Sequence, residues 1–390
     1  MAGHDIIVIG GSAGGIEALM RILATLPPDL PAAVCVVVHQ AAYLPNRRPE
    51  ILGRASVLPV VLAEHGMRLR PGTVYLSVPD QHLFIERGTT AELGVLRLVR
   101  GPKENRSRPA IDPLFRSAAL AFGRRVIGVM LSGALDDGTS GLWVIKDCGG
   151  ISVVQDPTDA LVSSMPSHAI EEVGADHIVP ASAMGALLGE LARTSIGSHT
   201  PPSTEKQVGL PKGHEIGRGN RGDLQREIAI AQLDDTAHAS PERVGVPSRY
   251  ACPDCGGVLW AASPAGAPLH FRCETGHAYS AAALAEGQTE AVESAMWAAL
   301  RALEDKADLA RLRGGLAHER GLHSHAEQYD AQLHAAQEHA AAIRALLRVD
   351  GRLGIRPTVP ESSSVPPVDE GGDRPVRQRR APHVSGDVKG

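Results

Sequence analysis

The sequence predicts an α/β protein: a doubly wound, mainly parallel sheet over residues 1–193, followed by a small zinc-ribbon-like module and an α-helical hairpin. Three observations carry this prediction. Largely apolar runs at residues 5–9, 34–38 and 126–131 suit strands buried on both faces. Runs with helical spacing, the first at residues 16–23, alternate with them. A CxxC pair, with a further Cys and His downstream, marks a separate module beyond residue 246.

The first strand enters Gly10-Gly11-Ser12-Ala13-Gly14-Gly15 before the first helix, so Ser12 occupies a strand-to-helix turn with little bulk around it. The spacing Gly10-x-Ser12-x-Gly14 satisfies the nucleophile-elbow pattern, in which the helix N-terminus offers backbone N–H groups to an oxyanion. Glycine-rich turns after a first strand more often hold phosphate. A dinucleotide site needs glycines at i, i+2 and i+5, and Ser12 and Ala13 stand at the i+2 positions from Gly10 and Gly11. That pattern fails. The second strand ends in His39-Gln40 where a ribose site would have an acidic residue. His39 there can serve as a general base, the alternative being a surface histidine, one of 17.

Residues 72–98 break the rhythm: 73–76, 82–85 and 93–98 read as short strands at an antiparallel insertion or edge. The strand at 126–131 then runs into Ser132-Gly133-Ala134-Leu135-Asp136-Asp137-Gly138, ahead of a helix near Leu142. A carboxylate here can orient an imidazole, or it can merely cap the helix. The chain order Ser, His, Asp differs from those of α/β-hydrolases, chymotrypsin and subtilisin.

Residues 194–246, rich in Ser, Thr, Gly, Pro and mixed charge, read as a flexible linker with one short ordered piece at 227–231. In the module at 247–280, Cys252 and Cys255 are followed after 17 residues by Cys273 and then His277. Three thiolates and one imidazole suit tetrahedral zinc, and four protein ligands make it structural rather than catalytic. A metal-free or redox CxxC is the alternative. The intervening apolar residues fit a β-ribbon too small to fold without a staple. Cys35 and Cys148 read as core or near-core thiols.

In the helical segment at 281–349, Leu284, Val292, Met296, Leu300 and Leu303 keep helical spacing, as do Leu322, Tyr329, Leu333, Ile343, Leu346 and Leu347, with Gly314-Gly315 expected to divide two helices. A plain hairpin is one reading, and a docking surface for receptor helices or for oligomerisation the other. The histidines at 318, 323, 325, 334 and 339 read as solvated surface. Residues 350–390, rich in Pro, Ser, Gly and Arg, are expected to be disordered.

At 390 residues, 43% hydrophobic, with a net charge of −5, the chain can bury more than one core and is not a basic nucleic-acid binder. Five cysteines, no basic-apolar leader and no apolar run near 18 residues lead to the expectation of a reducing cytoplasm without membrane insertion.

Several separated blocks together resemble the catalytic domain of the CheB-type protein-glutamate methylesterases of chemotaxis-like pathways. They are residues 9–15, Val38-His39-Gln40, residues 78–83, Arg108-Pro109-Ala110-Ile111-Asp112-Pro113-Leu114-Phe115, residues 131–138, Gln155-Asp156-Pro157 and Met165-Pro166. The resemblance covers residues 1 to about 193 and implies a nucleophile at Ser12, a base at His39 and an orienting aspartate at Asp137. One departure is Ala134, where the family often has a Met associated with its oxyanion site. The implied reaction is hydrolysis of glutamate γ-methyl esters on the cytoplasmic helices of methylated receptors, within a pathway that includes a receptor methyltransferase, and deamidation of particular glutamines by the same route. No metal or nucleotide is needed for it. The usual family member carries an N-terminal receiver domain, for which no room is expected here, so the zinc module and helices are expected to take its place by docking or localisation. The competing reading is a catalytically weak signalling scaffold that binds partners through its C-terminal region.

Overall fold

A computed structural model describes residues 3–39, 48–88, 93–196, 221–239, 244–262 and 266–348. Gln40, much of the expected linker and the expected disordered tail lie outside the described residues. The chain begins β1 (Ile6–Gly11), α1 (Gly15–Leu23), β2 (Ala33–Val38), α2 (Arg48–Ala55), β3 (Val60–Leu62) and β4 (Val74–Leu76). A hairpin, β5 (His82–Glu86) and β6 (Val95–Val99), precedes α3 (Ile111–Phe122), β7 (Val126–Met130), α4 (Thr139–Asp147), β8 (Ile151–Gln155), α5 (Ser164–Val173), β9 (His177–Val179) and α6 (Ala181–Arg193).

Seven of these strands form one parallel sheet in the order β3-β4-β2-β1-β7-β8-β9. The fold is the doubly wound one the alternating pattern predicts. Side chains alternate across β1: Ile7 and Ile9 pack with Leu19, Ile22 and Leu188 of α1 and α6, whereas Ile6 and Val8 pack with Phe115 and Leu142 of α3 and α4. Both faces are therefore covered, which is why the strands read as unbroken apolar runs rather than alternating ones. The chain leaves β1 toward β2 on one side and later returns to place β7 on the other. That reversal opens a crevice at the carboxyl ends of β1 and β7, where open parallel sheets place their chemistry.

The region 72–98 differs in part from expectation. Val74–Leu76 is not an antiparallel insertion but pairs parallel with β2 and β3 inside the main sheet; the antiparallel element is the separate pair β5 and β6. Three residues are too few to show the period that tells these cases apart.

Gly10 brings β1 and α3 into close approach: a Cβ there would stand 2.3 Å from Ile111 Cγ2. Gly10→Ala is expected to lower stability by about 1–3 kcal/mol in urea denaturation through overpacking. Because Ile111 also supports the site described below, activity should fall with it.

The expected linker contains α7 (Arg221–Ala231), whose Ile228 and Ala231 pack on the buried ring of Phe84, and α8 (Asp235–Ala239). The ordered piece expected at 227–231 is the end of α7; its first turns at 221–226 are polar because α7 buries only a narrow stripe, Glu227, Ile228 and Ala231. Beyond it, β10 (Val246–Ala251), β11 (Val258–Ala262), β12 (His270–Cys273) and β13 (Ala278–Ser280) form an antiparallel sheet in chain order.

A helical hairpin follows, α9 (Ala281–Glu319) and α10 (His323–Arg348). The break falls at Gly321, with φ 70°, and not at Gly314-Gly315. Gly314 is buried inside α9, as are Ala307, Ala310 and Ala317, and a Cβ there would stand 3.3 Å from Asp330 and 3.5 Å from Tyr329 of α10, which itself buries Ala326, Ala336 and Ala340. Small residues here let two helices approach closely, so tertiary packing overrides the helix-breaking tendency of glycine. Val292, expected on an apolar face, is exposed.

Candidate active site

The register of β1 and β2 determines the first contact of the site. Gly11 pairs with Val38, so the next residues, Ser12 and His39, leave adjacent parallel strands side by side, with backbones about 5 Å apart. The His39 N–H donates to the Gly11 carbonyl at 3.1 Å, and the Ser12 N–H donates to the Ser132 carbonyl at 2.9 Å, tying the turn after β1 to both neighbours. Gly14, with φ 78°, makes the tight entry into α1; a side chain there would also collide with Leu161 and Ser132. Ser12 is half-buried, its rim formed partly by Gly133, where a Cβ would fall within 2.9 Å of the Ser12 Cβ and 2.8 Å of the Met165 thioether.

Across the crevice, the turn after β7 carries Asp137. Its Oδ2 lies 2.7 Å from His39 Nε2, the imidazole being 18% exposed and the carboxylate 3%. The carboxylate is held from every side. Oδ2 also accepts the Ile111 N–H at 2.7 Å, and Oδ1 accepts the Asn105 Nδ2 at 2.7 Å and the Asp112 N–H at 3.4 Å. Burial alone would raise its pKa, but His39, the Ile111 amide and Asn105 hold it below the ordinary aspartate value. Asp112, buried beside it, is pushed up to about 7 by burial and by the Asp137 charge. The neighbouring carboxylate of the same turn, Asp136, accepts instead from the Ser280 hydroxyl. A crevice of about 190 Å³ opens beside His39, lined by Asp80, Lys103, Arg106, Ser107 and Arg108.

Asn105 escaped the sequence reading. Neither its type nor its neighbours mark it, since its role depends on a left-handed backbone (φ 47°, followed by Arg106 at φ 64°) that turns the amide toward Asp137. Asp112 stood within a block quoted for the family resemblance, but with no role attached.

The second cluster is the cysteine set. The ligand atoms of Cys252, Cys255, Cys273 and His277 all lie within 4.8 Å of one another. Cys255 and Cys273 sulfurs are 3.6 Å apart, and His277 Nδ1 is 3.6 Å from Cys273 and 3.8 Å from Cys252. A tetrahedral centre with zinc–sulfur bonds of about 2.3 Å separates its sulfurs by about 3.8 Å, so this arrangement fits that ion. Hydrogen bonds from Cys252, then His277, bring the Cys273 thiol down to about 3, against the effect of burial. The Tyr279 hydroxyl, 3.4 Å from the Cys252 sulfur, supports the set from outside.

The module is docked on the sheet domain through buried charge. Glu104, 1% exposed, pairs with Arg116 of α3 and, at 3.0 Å, with Arg272 of β12. Glu227 of α7 pairs with His270 at 2.9 Å. Burial would raise both glutamates, but Arg116 and Arg272 outweigh it at Glu104 and His270 and Arg116 at Glu227, bringing each from an ordinary 4.5 to about 2. Groups depressed on folding stabilise above the unfolded value, and that contribution disappears as pH falls through the folded one. The calorimetric melting temperature should therefore decline between pH about 4.5 and about 2, and Glu104→Gln should flatten that decline.

These features define a doubly wound α/β protein with a Ser, His and Asp constellation at the reversal point of its sheet. The chain belongs to the CheB methylesterase family, whose model matches residues 7–188. A Leptospira interrogans chain provisionally named protein-glutamate methylesterase/protein-glutamine glutaminase is 38% identical over 176 residues, which is 45% of this chain and 89% of that one. The protein-glutamate methylesterase/protein-glutamine glutaminase 2 of Anaeromyxobacter dehalogenans is 39% identical over 189 residues, covering 48% of this chain and 54% of that one. A Nocardioides protein of the same activity name is 40% identical over 195 residues, covering 50% and 52%. The crystal structure of the Thermotoga maritima CheB methylesterase catalytic domain is 34% identical and overlaps 49% of this chain and all of that one, with a TM-score of 0.47. All of these matches fall within half of the chain. Among the described residues no helix is long and apolar enough to cross a membrane.

Proposed function

We propose that this protein-glutamate methylesterase uses Ser12 as nucleophile, His39 as general base and Asp137 as the group that orients and stabilises the imidazole. What carries the reading is the 2.7 Å contact between His39 Nε2 and Asp137 Oδ2, at the edge where the strand register sets Ser12 beside His39. With Nε2–H donated to Asp137, Nδ1 is the nitrogen that receives the Ser12 proton. Ser12 Oγ attacks the side-chain carbonyl of a glutamate γ-methyl ester, and the tetrahedral oxyanion forms near the N-terminal end of α1. His39 returns its proton to the departing methoxide, so methanol leaves. Water then attacks the acyl-enzyme, with His39 again taking the proton. A glutamine side chain follows the same path with ammonia as leaving group. The residues that touch the reacting atoms require no metal. The substrate is the methylated cytoplasmic helices of chemotaxis-type receptors, in a pathway with a receptor methyltransferase, and the reaction belongs to the cytoplasm.

The cysteine set binds a structural zinc that holds the module together. Among the described residues its hydrophobic core is small: Leu259, Phe271, Tyr279, Ala283 and Leu284 beside Cys252 and Cys273, with Ala261 packed against them. A core of that size depends on a staple. The test of the catalytic reading is methanol released from a methylated receptor cytoplasmic fragment by the full chain, with ammonia from the unmodified fragment reporting deamidation. No methanol release by the folded protein would overturn it.

A further inference from the structure

Three of the residues through which the C-terminal module contacts the sheet domain and α7 are immediate neighbours of the metal ligands. Arg272, one residue before Cys273, donates to Glu104 at 3.0 Å and to the Gly276 carbonyl at 2.8 Å. Gly276, one residue before His277, sits at φ 97° against Pro102 and Ile230, where a Cβ would come within 2.9 and 3.0 Å. Ala278, one residue after His277, accepts the Asn105 N–H at 2.8 Å and donates to the Lys103 carbonyl at 3.2 Å. The segment 103–105 is thereby added alongside β13.

Asn105 completes the path. Its side-chain oxygen accepts the Ser280 N–H at 2.7 Å, while its amide nitrogen donates to Asp137 at 2.7 Å and to Asp112 at 2.9 Å. From ligand His277 to the carboxylate that orients His39 there are two intervening residues, Ala278 and Asn105. Both Asn105 and Arg106 are left-handed, a conformation that strains a non-glycine residue and persists where surrounding contacts enforce it. Reciprocal backbone bonds between Glu104 and Ser107, at 3.2 and 2.9 Å, close this turn locally, and β13 adds the Ala278 and Ser280 contacts that fix where the Asn105 amide points. If the knuckle from Cys273 to His277 loosened, the loop would be free to relax and withdraw its donor from Asp137.

We propose that a zinc-type divalent ion bound by Cys252, Cys255, Cys273 and His277 sets the esterase rate by holding β13 against Asn105, a positioning residue for Asp137. The inference rests on the triad reading above, and adds to it a metal-dependent control within the same chain.

The test uses the full chain with zinc bound, after chelation, and after re-addition of zinc or cadmium. Three quantities are read: metal per chain, the low-field ring proton shared by His39 and Asp137 in nitrogen-15-edited NMR, and kcat and KM for methanol release. Chelation should remove one ion per chain, broaden or shift the His39 proton, and lower kcat by between about tenfold and a hundredfold with KM changed less than about twofold. Either metal should restore both signals. Asn105→Gly, which keeps the backbone conformation accessible, should show the same kcat and proton change at full metal content, and chelation should then lower kcat no further. An unchanged proton and kcat after the metal has gone, independent multiplication of the two losses, or absence of metal binding would overturn the proposal. If the proton depends on metal while the loaded protein releases no methanol, the methylesterase reading fails and the linkage stands.

Discussion

Ser12→Ala is expected to lower methanol release by roughly 10⁴-fold or more, with the melting temperature unchanged within a degree or two. The substitution removes only Oγ. The Cβ that packs toward Gly133 remains, and the backbone bond from the Ser12 N–H to the Ser132 carbonyl is unaffected. No neighbouring hydroxyl can take over. Ser132 Oγ donates to the Ala13 carbonyl at 2.7 Å and accepts the Val162 N–H at 2.9 Å, so its proton is already engaged in holding the turn. The residual rate should be that of a site that still binds the ester and polarises its carbonyl. Steady-state methanol release, measured beside a thermal melt, checks both halves. A variant within tenfold of the parent would mean that another group attacks the ester.

How much of this was legible in the sequence follows from the range of the interactions. The strands β1, β2 and β7 were visible because burial on both faces leaves a local mark, a short unbroken apolar run. Ser12 and His39 were visible because each closely follows such a run, Asp137 because it lies in the turn beyond another, and strand ends in a parallel sheet share one edge. Val74–Leu76 was misassigned because three residues carry no period, and Gly314 because its fit depends on a helix that begins at His323. Nothing local could have shown that Arg272 would share Glu104 with Arg116, across 168 residues of chain. The same holds for Asn105: the left-handed turn is closed locally by Glu104 and Ser107, but the Ala278 and Ser280 contacts that aim its amide come from a strand far along the chain. The Cys and His spacing could be read locally, whereas its connection to Asp137 through Ala278 and Asn105 arises only when both units are folded together.

Asp137→Asn is the change with the second largest expected effect, and its outcome is fixed by counting donors. Four N–H groups point at the two carboxylate oxygens: His39 Nε2 and Ile111 at one, Asn105 Nδ2 and Asp112 at the other. An asparagine has one acceptor oxygen, so its NH₂ group must face a pair of donors whichever way it turns. Facing His39, it drives the ring to the opposite tautomer, with the proton on Nδ1, and Nδ1 can then no longer take the Ser12 proton. Facing Asn105, it opposes two amide donors and disturbs the link to Ser280. Both orientations lower kcat, and the first should do so by about 10⁴-fold, the scale seen for the same change in serine protease triads. A buried donor left without an acceptor should also lower stability by about 1–3 kcal/mol in urea denaturation at neutral pH. The pH dependence separates this from simple misfolding. Because Asp137 is depressed below the ordinary aspartate value of 3.8, its contribution is complete above that value and is lost as pH falls below it, so the variant's deficit should shrink on acidification. Asp136 offers no substitute, since its carboxylate accepts the Ser280 hydroxyl rather than facing the ring. A rate within tenfold of the parent would therefore mean that His39 is oriented by something other than the acid it touches.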